Sequence, residues 1–396
     1  MNKPKIRFKG FNDDWEQRKW IDTVDISTEM VDPTSGEFDD MPHIAPGNIE
    51  SFTGRILDNV KSVKEEQLIS GKFRFRPGDV VYGKINPQLG KYFYARVDGL
   101  TSADAYVFNG KNGISQKFLF SLLQTADFFK YSVSVSKRSG MPKINRDELN
   151  TYSFLAPNAE EQNKIGDFLL ELDHLITLHQ RKCDEVKKLK KYMLQNMFPQ
   201  DGEKVPKIRF EGFTNDWEQR KLGECAEFNP KSELPDIFEY VDLESVVGTD
   251  ILSHRTEGKS SAPSRAQRLA QKGDVFYQTV RPYQKNNCIF EKDDNNWVFS
   301  TGYAQLRPVN NGYFLLTLLQ NEDFVKLVLD RCTGTSYPAI NSNDLADIDV
   351  NIPSDNKEQQ KIGAYFRNLD NLITLHQRKC EELKNMKKFM LQNMFV

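Results

Sequence analysis

The chain has 396 residues, of which 38% are hydrophobic and 11% aromatic, so it can form sizeable cores in two or three domains. Lys and Arg total 54 against 56 Asp and Glu. The resulting net charge of −2 excludes a polycation that coats DNA through bulk charge, although local basic surfaces remain possible. The sequence has no apolar run long enough for a membrane span and no secretory leader, and its five Cys form no CxxC pair. We therefore expect reduced thiols, a cytoplasmic location and no contact with membranes.

The first element in chain order is a short leader that returns in the middle of the chain. Residues 4–19 and 206–221 are identical at thirteen of sixteen positions, and residues 161–198 and 358–395 are identical at 26 of 38. The chain is therefore a tandem duplication with similar ends and divergent middles. Its predicted segments are a first domain (1–157), a long helix (158–199), a linker with a second domain (200–354) and a second long helix (355–396).

The two middles are predicted to be strand-rich domains of mixed α/β (α+β) class. Each contains a Gly-Asp turn followed by a strand, at residues 78–82 and 273–277. Helical spacing of apolar residues, and then loops rich in Ser, Gly and Pro, follow in both copies. The predicted helices are residues 116–130 and 312–328, and the predicted loops are residues 133–142 and 332–338.

The two long helices carry a narrow apolar seam with heptad spacing, and a 38-residue helix would be roughly 57 Å long. A lone seam would leave its apolar stripe in water, so we expect the helices to pair as an antiparallel coiled coil with a pseudo-two-fold axis. His179 and His376 occupy matching seam positions and would form a polar layer at the centre. The alternative is that each helix packs back on its own domain.

Catalytic signatures are few, and we expect no catalytic residue, no metal site and no cofactor. Asp236, Glu257 and Lys259 have the spacing of a nuclease PD…ExK motif, in which two carboxylates and a lysine hold Mg²⁺. Their predicted setting is a loop, and the first copy has no matching triplet. A Mg²⁺-dependent nuclease is therefore the alternative function.

Basic residues cluster in both middles despite the balanced total. Residues 72–96 contain six basic residues and one acidic residue, and residues 130–146 contain five basic residues and no acidic one. Lys and Arg bind phosphates, while Asn, Gln and Arg can read base edges, so these clusters favour nucleic acid. The predicted DNA-contacting residues are Lys84, Asn86, Gln88, Lys91, Lys137, Arg138, Ser139, Lys143 and Asn145 in the first copy, and Gln278, Thr279, Arg281, Tyr283, Lys285, Thr335, Ser336, Tyr337 and Asn341 in the second.

The duplicated EQxKIG…LDxLITLHQRKC…LQNMF segments, the GDV(V/F)Y turns and the segments SGMPKIN and GTSYPAIN together resemble the DNA-specificity subunit of type I restriction–modification enzymes. The resemblance covers essentially the whole chain. It implies two variable target-recognition domains, each reading half of a split, asymmetric double-stranded DNA target. It also implies that the similar helices form an antiparallel coiled coil that acts as a spacer.

The same resemblance implies a noncatalytic subunit whose partners carry out the chemistry. Two methyltransferase subunits, which methylate adenine, and two motor-nuclease restriction subunits are the implied partners. A two-domain adaptor that joins proteins without DNA is a third possibility. Salt-sensitive, sequence-selective DNA binding distinguishes a DNA reader from an adaptor, and DNA cleavage by the purified chain alone would identify a nuclease.

Overall fold

The computed structural model describes residues 3–137, 140–200, 202–334 and 336–396. The chain divides into two compact units, one formed by residues 1–181 with residues 377–396 and the other by residues 182–376. Each unit therefore combines one strand-rich domain with part of both long helices. No helix in the described ranges has the length and apolar character needed to cross a membrane.

The described residues of the first unit form three sheets and four short α-helices. Its strands are β1 (Glu16–Lys19), β2 (Val24–Ile26), β3 (Met30–Val31), β4 (Pro42–His43), β5 (Lys61–Ser62), β6 (Lys72–Phe75), β7 (Val80–Gly83), β8 (Tyr92–Tyr94), β9 (Gly99–Thr101), β10 (Ala105–Gly110) and β11 (Ser153–Ala156). Its short helices are α1 (Trp20–Thr23), α2 (Gln116–Leu122), α3 (Ala126–Val135) and α4 (Arg146–Asn150). The sheet orders are β1-β11, β2-β10-β7-β8 and β3-β6-β9-β4-β5.

The long helix α5 (Ala159–Asn196) then leads into the second unit. The strands of that unit are β12 (Glu218–Lys221), β13 (Ala226–Phe228), β14 (Ile237–Val241), β15 (Val246–Val247), β16 (Asp250–Ile251), β17 (Arg255–Gly258), β18 (Ala266–Leu269), β19 (Val275–Gln278), β20 (Cys288–Ile289), β21 (Trp297–Ser300), β22 (Tyr303–Pro308) and β23 (Asp349–Ile352). Its helices are α6 (Leu222–Cys225), α7 (Gly312–Leu319), α8 (Glu322–Asp330), α9 (Ser342–Ala346) and the long α10 (Asn356–Asn393).

The sheets of the second unit repeat part of the first unit's topology. The order β13-β22-β19-β20 matches β2-β10-β7-β8, and the pair β12-β23 matches β1-β11. The remaining strands differ, because β17-β14-β21-β18 and β15-β16 replace the five-stranded sheet. The strands predicted after the two Gly-Asp turns are confirmed as β7 and β19, which are central in their sheets and fully buried.

The two predicted middle helices are wrong in extent, because each is two helices. Thr125 separates α2 from α3, and its hydroxyl accepts a hydrogen bond from the N–H of Phe128. Asn321 does the same between α7 and α8, accepting from the N–H of Asp323. A polar side chain that caps a new helix interrupts the apolar spacing only slightly, so the periodicity alone does not reveal the break.

Within each unit, segments of α5 and α10 share one hydrophobic core with the strand-rich domain. In the first unit, Leu169 and Leu172 of α5 are buried in the same cluster as Leu383 of α10. In the second unit, Phe366 and Leu369 of α10 are buried in a cluster that Val186 and Met193 of α5 border. The helices therefore pair antiparallel, as predicted, and they also pack against the domains.

An ion pair joins the two long helices in each unit. The Lys387 ammonium pairs with the Asp173 carboxylate in the first unit, and the Lys190 ammonium lies 2.6 Å from the Asp370 carboxylate in the second. Burial raises the pKa of both carboxyl groups, and the paired lysine opposes that shift. His179 belongs to the first unit and His376 to the second, and their polar layer stays a prediction.

The two leaders are fixed by matching contacts. Arg7 donates from Nε and Nη2 to both carboxylate oxygens of Glu161, at 2.7 and 2.8 Å, and Arg209 repeats this geometry on Glu358. Both carboxylate side chains are at most 1% exposed. Bidentate pairing supplies the hydrogen bonds that a buried carboxylate needs, so each leader is held on the first turn of a long helix.

Further contacts repeat beside these ion pairs. The N–H of Ile6 donates to the carbonyl of Asn393 at 2.9 Å, and the N–H of Ile208 donates to the carbonyl of Asn196 at 2.8 Å. Gly166 in α5 faces the backbone of Lys117, where an added Cβ would lie 2.8 Å from the carbonyl carbon. The backbone hydrogen bonds thus hold each leader at the end of a long helix. The glycine lets the long helix approach its domain closely.

Candidate nucleic-acid interface

The candidate interface in each domain consists of two neighbouring loops. We use proline loop for residues 84–91 and 279–285, which follow the buried strands β7 and β19. We use tip loop for residues 137–145 and 333–341, which precede α4 and α9. Residues 138, 139 and 335 of the tip loops lie outside the described residues.

In the first domain, backbone hydrogen bonds hold the two loops together. Ile85 forms an antiparallel bridge with Lys143. The N–H of Asn86 donates to the carbonyl of Pro142 at 2.8 Å, and the N–H of Ile144 donates to the carbonyl of Lys84 at 3.0 Å. The proline loop and the tip loop, far apart in sequence, therefore form one surface.

The second domain repeats this frame almost bond for bond. Val280 forms an antiparallel bridge with Ala339. The N–H of Arg281 donates to the carbonyl of Pro338 at 2.7 Å, and the N–H of Ile340 donates to the carbonyl of Thr279 at 3.0 Å. The main chain is thus shared, whereas the side chains that it carries differ between the two copies.

The residue before the proline is left-handed in both proline loops. Asn86 has φ +51° and Arg281 has φ +55°, and each precedes a short 3₁₀ helix, Pro87–Leu89 or Pro282–Gln284. Asn adopts this conformation readily, but Arg does not.

A cluster of cations surrounds Tyr106 beside the first proline loop. The ammonium of Lys84 lies 4.9 Å from the centre of the Tyr106 ring, and the guanidinium carbon of Arg146 lies 5.9 Å from it. Burial lowers the pKa of Lys84, and the positive charges of Lys143 and Arg146 lower it further. Asp104 offsets part of this positive charge, and the cations that remain favour a phosphate ligand.

Several residues that were predicted to contact DNA also make contacts within the protein. Gln278 is 2% exposed and its amide donates to the carbonyl of Val280, while the hydroxyl of Thr279 donates to the carbonyl of Gly302. Lys91 and Lys285 donate to the carbonyls of Ile49 and Gln320, and Lys285 also lies 2.6 Å from Glu322. Asn145 and Asn341 are the N-caps of α4 and α9. These contacts hold the loops in place, and the part of the six residues in DNA contact stays a prediction.

The other predicted residues in the described ranges lie on the surface of the two loops. Those with partly or largely exposed side chains are Lys84, Asn86, Gln88, Lys137 and Lys143 in the first domain, and Arg281, Tyr283, Ser336 and Tyr337 in the second. Arg138, Ser139 and Thr335 were also predicted, and they lie outside the described residues. Their part in DNA contact stays a prediction.

Two residues of this surface were missed from the sequence. Arg146 follows the tip loop as the first residue of α4 and joins the cation cluster. Met141 is 65% exposed in the first tip loop, at the position that Tyr337, 64% exposed, occupies in the second. Both precede a proline, and this repeated exposed apolar residue before proline was a signal in the sequence.

The nuclease triplet does not assemble as its motif requires. Glu257 lies on the strand β17 and not in the expected loop, and its carboxylate accepts a hydrogen bond from Nε of Arg255 at 2.8 Å. Asp236 and Lys259 meet only through their main chains, where the Lys259 N–H donates to the Asp236 carbonyl. Within the described ranges, no group of three His, Cys, Asp or Glu side chains could hold a metal ion.

Comparison with known sequences gives one family for both halves of the chain. The sequence profile of the type I restriction modification DNA specificity domain matches residues 12–188 and again residues 199–385. The specificity subunit of the type I restriction enzyme EcoDI of Escherichia coli is 32% identical over 151 residues, which are 38% of this chain and 33% of that protein. The HindI specificity subunit of Haemophilus influenzae is 25% identical over 195 residues, 46% of this chain and 41% of that protein. The matches thus span about a third to two fifths of these relatives.

A solved structure shares the fold over the full length. The crystal structure of the S subunit of a type I restriction–modification system from M. genitalium superposes with a TM-score of 0.68 at 15% identity. The superposition covers 100% of this chain and 99% of that chain. The fold of this chain therefore recurs in a protein of very different sequence.

Proposed function

The chain belongs to the family of type I restriction modification DNA specificity domains, and on this basis we propose that it is the noncatalytic, sequence-specific DNA-binding subunit of a type I restriction–modification complex. Its role is to bring methyltransferase and motor-nuclease subunits to one DNA target, and the methyltransferase modifies adenine there. It works in the cytoplasm, where it reaches chromosomal and incoming DNA. The comparisons do not support the nuclease alternative built on Asp236, Glu257 and Lys259.

The observation that carries this proposal is the shared loop frame with different side chains. The first domain presents Asn86, Gln88 and Met141 on the same backbone where the second presents Arg281 and Tyr337. Base edges in the major groove are read by such side chains, with Asn and Gln suited to adenine and Arg to guanine. Two domains that present different side chains on this shared frame would recognise two different sequences, which gives a split, asymmetric target in double-stranded DNA.

The long helices support the proposed partners. Their sequences match at 26 of 38 positions, so they offer two similar docking surfaces. We therefore propose two methyltransferase subunits per chain, with two restriction subunits joining them. Adenine methylation requires the base to leave the stack and enter the partner's pocket. This chain then recognises the DNA sequence and positions the complex on it, and its partners carry out the catalysis.

The test is a domain exchange read by methylation sequencing of a host. Replacing residues 19–157 with another recognition domain should change one half of the methylated sequence and leave the other half as it was. The reason is that the two domains share no base contacts, so their contributions should be nearly additive. The matched control replaces the corresponding residues of the second domain, 221–353, and should change the opposite half.

Two results of the exchange would contradict the proposal. If either exchange altered both halves, the idea of two independent readers would be wrong. If a host carrying the unchanged chain and its methyltransferase showed no methylated sequence at all, the chain would not be a specificity subunit. Binding by the assembled complex should also weaken steeply as salt rises, because phosphate contacts release counterions.

A further inference from the structure

The second proline loop is strained at two positions where the first one is relaxed. Arg281 and Lys285 both have φ +55°, at the two ends of the helix Pro282–Gln284. The corresponding residues of the first domain are Asn86, φ +51°, and Gly90, φ +56°. Asn and Gly adopt left-handed conformations at little energetic penalty, whereas Arg and Lys do so only when the surroundings hold them there.

Contacts inside the protein explain the conformation of Lys285. Its ammonium lies 2.6 Å from the carboxylate of Glu322 and donates to the carbonyl of Gln320 at 3.2 Å. Both partners lie at the junction of α7 and α8, so Lys285 holds the proline loop against these helices. Its strained backbone is therefore offset by an ion pair and a hydrogen bond.

Within the described part of the chain, no side-chain contact of this kind explains the left-handed conformation of Arg281. There, its guanidinium makes no ion pair and no hydrogen bond, and its carbon atom lies 4.4 Å from the centre of the Tyr337 ring. The main chain of Arg281 is nevertheless fixed, because its N–H donates to Pro338 at 2.7 Å and its carbonyl accepts from Gln284 at 3.0 Å. The strained residue thus presents a charged group that rests on Tyr337 and pairs with no acceptor of the described residues.

The partner of the Arg281 guanidinium must offer two adjacent hydrogen-bond acceptors, because a guanidinium is planar and can donate two hydrogen bonds side by side. A guanidinium resting on an aromatic face has lost much of its torsional freedom, so less entropy is lost when it binds. Guanine presents O6 and N7 side by side in the major groove, and Arg is the side chain that pairs with both. Tyr337, which is 64% exposed, would lie next to the bases as the support of Arg281.

We propose that Arg281, held on Tyr337, reads the O6 and N7 edge of one guanine in the half-site bound by the second domain. The inference rests on the proposed DNA-reading function and names a base that this domain reads. Tyr337 is a positioning residue that acts through Arg281. In the first domain, Asn86 occupies the matching backbone position, so the other half-site is read there by an amide.

The test uses the chain assembled with its methyltransferase subunit. Methylation sequencing first gives the full target for the original chain and for Arg281→Ala, and the variant should lose its preference at one guanine. Binding is then measured on duplexes with 7-deazaguanine, which lacks the N7 acceptor, at that position. The substitution should weaken binding of the original complex by roughly 5- to 150-fold and leave the Arg281→Ala complex unaffected.

Tyr337 variants and a stability measurement separate base reading from a structural role. Tyr337→Phe keeps the ring and should keep the guanine preference, whereas Tyr337→Ala should reduce it. Arg281→Asn places the first domain's residue on the same frame, and it should raise the melting temperature by about 2–4 °C while the guanine preference is lost. A residue whose role is only structural would not lose specificity while the protein gains stability.

Each contrary outcome has a distinct meaning. If Arg281→Ala weakened binding to all sequences alike, Arg281 would be a phosphate contact, and the guanine proposal would be wrong while the DNA-reading function stood. The proposal would equally fail if the relaxed position were not a guanine, or if 7-deazaguanine had no effect on the original complex. If that complex showed no sequence preference at all, the proposed function itself would be wrong.

Discussion

The two strand-rich domains are alike where they contact the long helices, and they differ in one sheet and in the side chains of their loops. At the helices, Arg7 and Arg209 bind Glu161 and Glu358 with the same two distances. At the loops, the backbone bonds also repeat, but Asn86 stands where Arg281 does. Duplication has therefore kept the attachment and the frame and changed the side chains that the frame displays. The same loop backbone can therefore carry different side chains in the two copies.

Removing the buried carboxylates of the long helices that hold the two leaders should have the largest effect and would show whether the two attachments are equivalent. Glu161→Ala leaves Arg7 without its partner, and Glu358→Ala does the same to Arg209. Each should lower the free energy of unfolding of its unit by about 3–5 kcal/mol, because a buried charge loses its pair. Calorimetry of the full chain would measure the two transitions.

The controls for these variants are exposed ion pairs in the same leaders. Glu16 pairs with Arg18 at 2.7 Å and Glu218 pairs with Arg220 at 2.7 Å, both on the surface. Replacing either glutamate with Ala should cost about 0–1 kcal/mol. If Glu161→Ala and Glu358→Ala lowered the free energy of unfolding by unequal amounts, the two attachments would not be equivalent.

The ion pairs between the long helices should give a loss of stability that depends on pH when the lysine is removed. Lys387→Met removes a charged hydrogen bond from the buried carboxylate of Asp173 and should cost about 1.5–3 kcal/mol near neutral pH. Burial already raises the pKa of Asp173 above its ordinary 3.8, and loss of the lysine should raise it further. The folded state then binds a proton more tightly than the unfolded state, so the loss should shrink as pH falls through that raised pKa.

Denaturant unfolding at several pH values would measure this effect. Lys164→Met is the matched control, because Lys164 forms an exposed pair with Glu160 at 3.0 Å and should show little change at any pH. Lys190→Met should cost more than Lys387→Met, since Lys190 also donates to Gln320 at 2.8 Å. A loss for Lys387→Met that stayed constant down to acidic pH would show that Asp173 does not govern it.

The smallest effect is expected at the glycines where long helices meet α2 and α7. An added Cβ at Gly166 would lie 2.8 Å from the carbonyl carbon of Lys117, and one at Gly363 would lie 2.8 Å from the nitrogen of Phe314. Substitution by Ala should cost about 1–2 kcal/mol, since a helix must shift. Gly363→Ala should cost more, because it also displaces Asn311, the N-cap of α7.

Gly47→Ala is the control for the glycine variants. Nothing lies within 4 Å of a Cβ at this position, and the change should be neutral or slightly stabilising in the same denaturation measurement. If Gly166→Ala were equally harmless, close approach of α5 to the domain would not explain why this glycine recurs in both copies.

Most of the architecture could be predicted because it depends on local patterns and on duplication. The strands after Gly78 and Gly273 follow from a turn and an apolar run, and the seam of the long helices follows from heptad spacing. The breaks at Thr125 and Asn321 could not be predicted, because one capping hydrogen bond decides them. The pairing of the two long helices could be predicted because both apolar seams have to be buried.

The candidate site was harder to predict because the residue type does not reveal where a side chain points. Gln278 looks like a base reader in sequence but lies at the buried end of β19. Lys285 looks like a phosphate contact, yet an acidic residue on α8 pairs with it. The left-handed backbone of Arg281 contradicts the preference of arginine, so no sequence rule predicts it.

The matching leader contacts also have a consequence for how the chain folds. Asn196 and Ile208 are 12 positions apart, but Ile6 and Asn393, which form the same hydrogen bond, are 387 positions apart. Closing the longer loop costs about 3 kcal/mol more in chain entropy. During synthesis the second unit can assemble as soon as residue 376 emerges, whereas the first must wait for residues 377–396. The domain that is made first is therefore expected to be the last to complete its core, and until then its apolar surface stays open to chaperones.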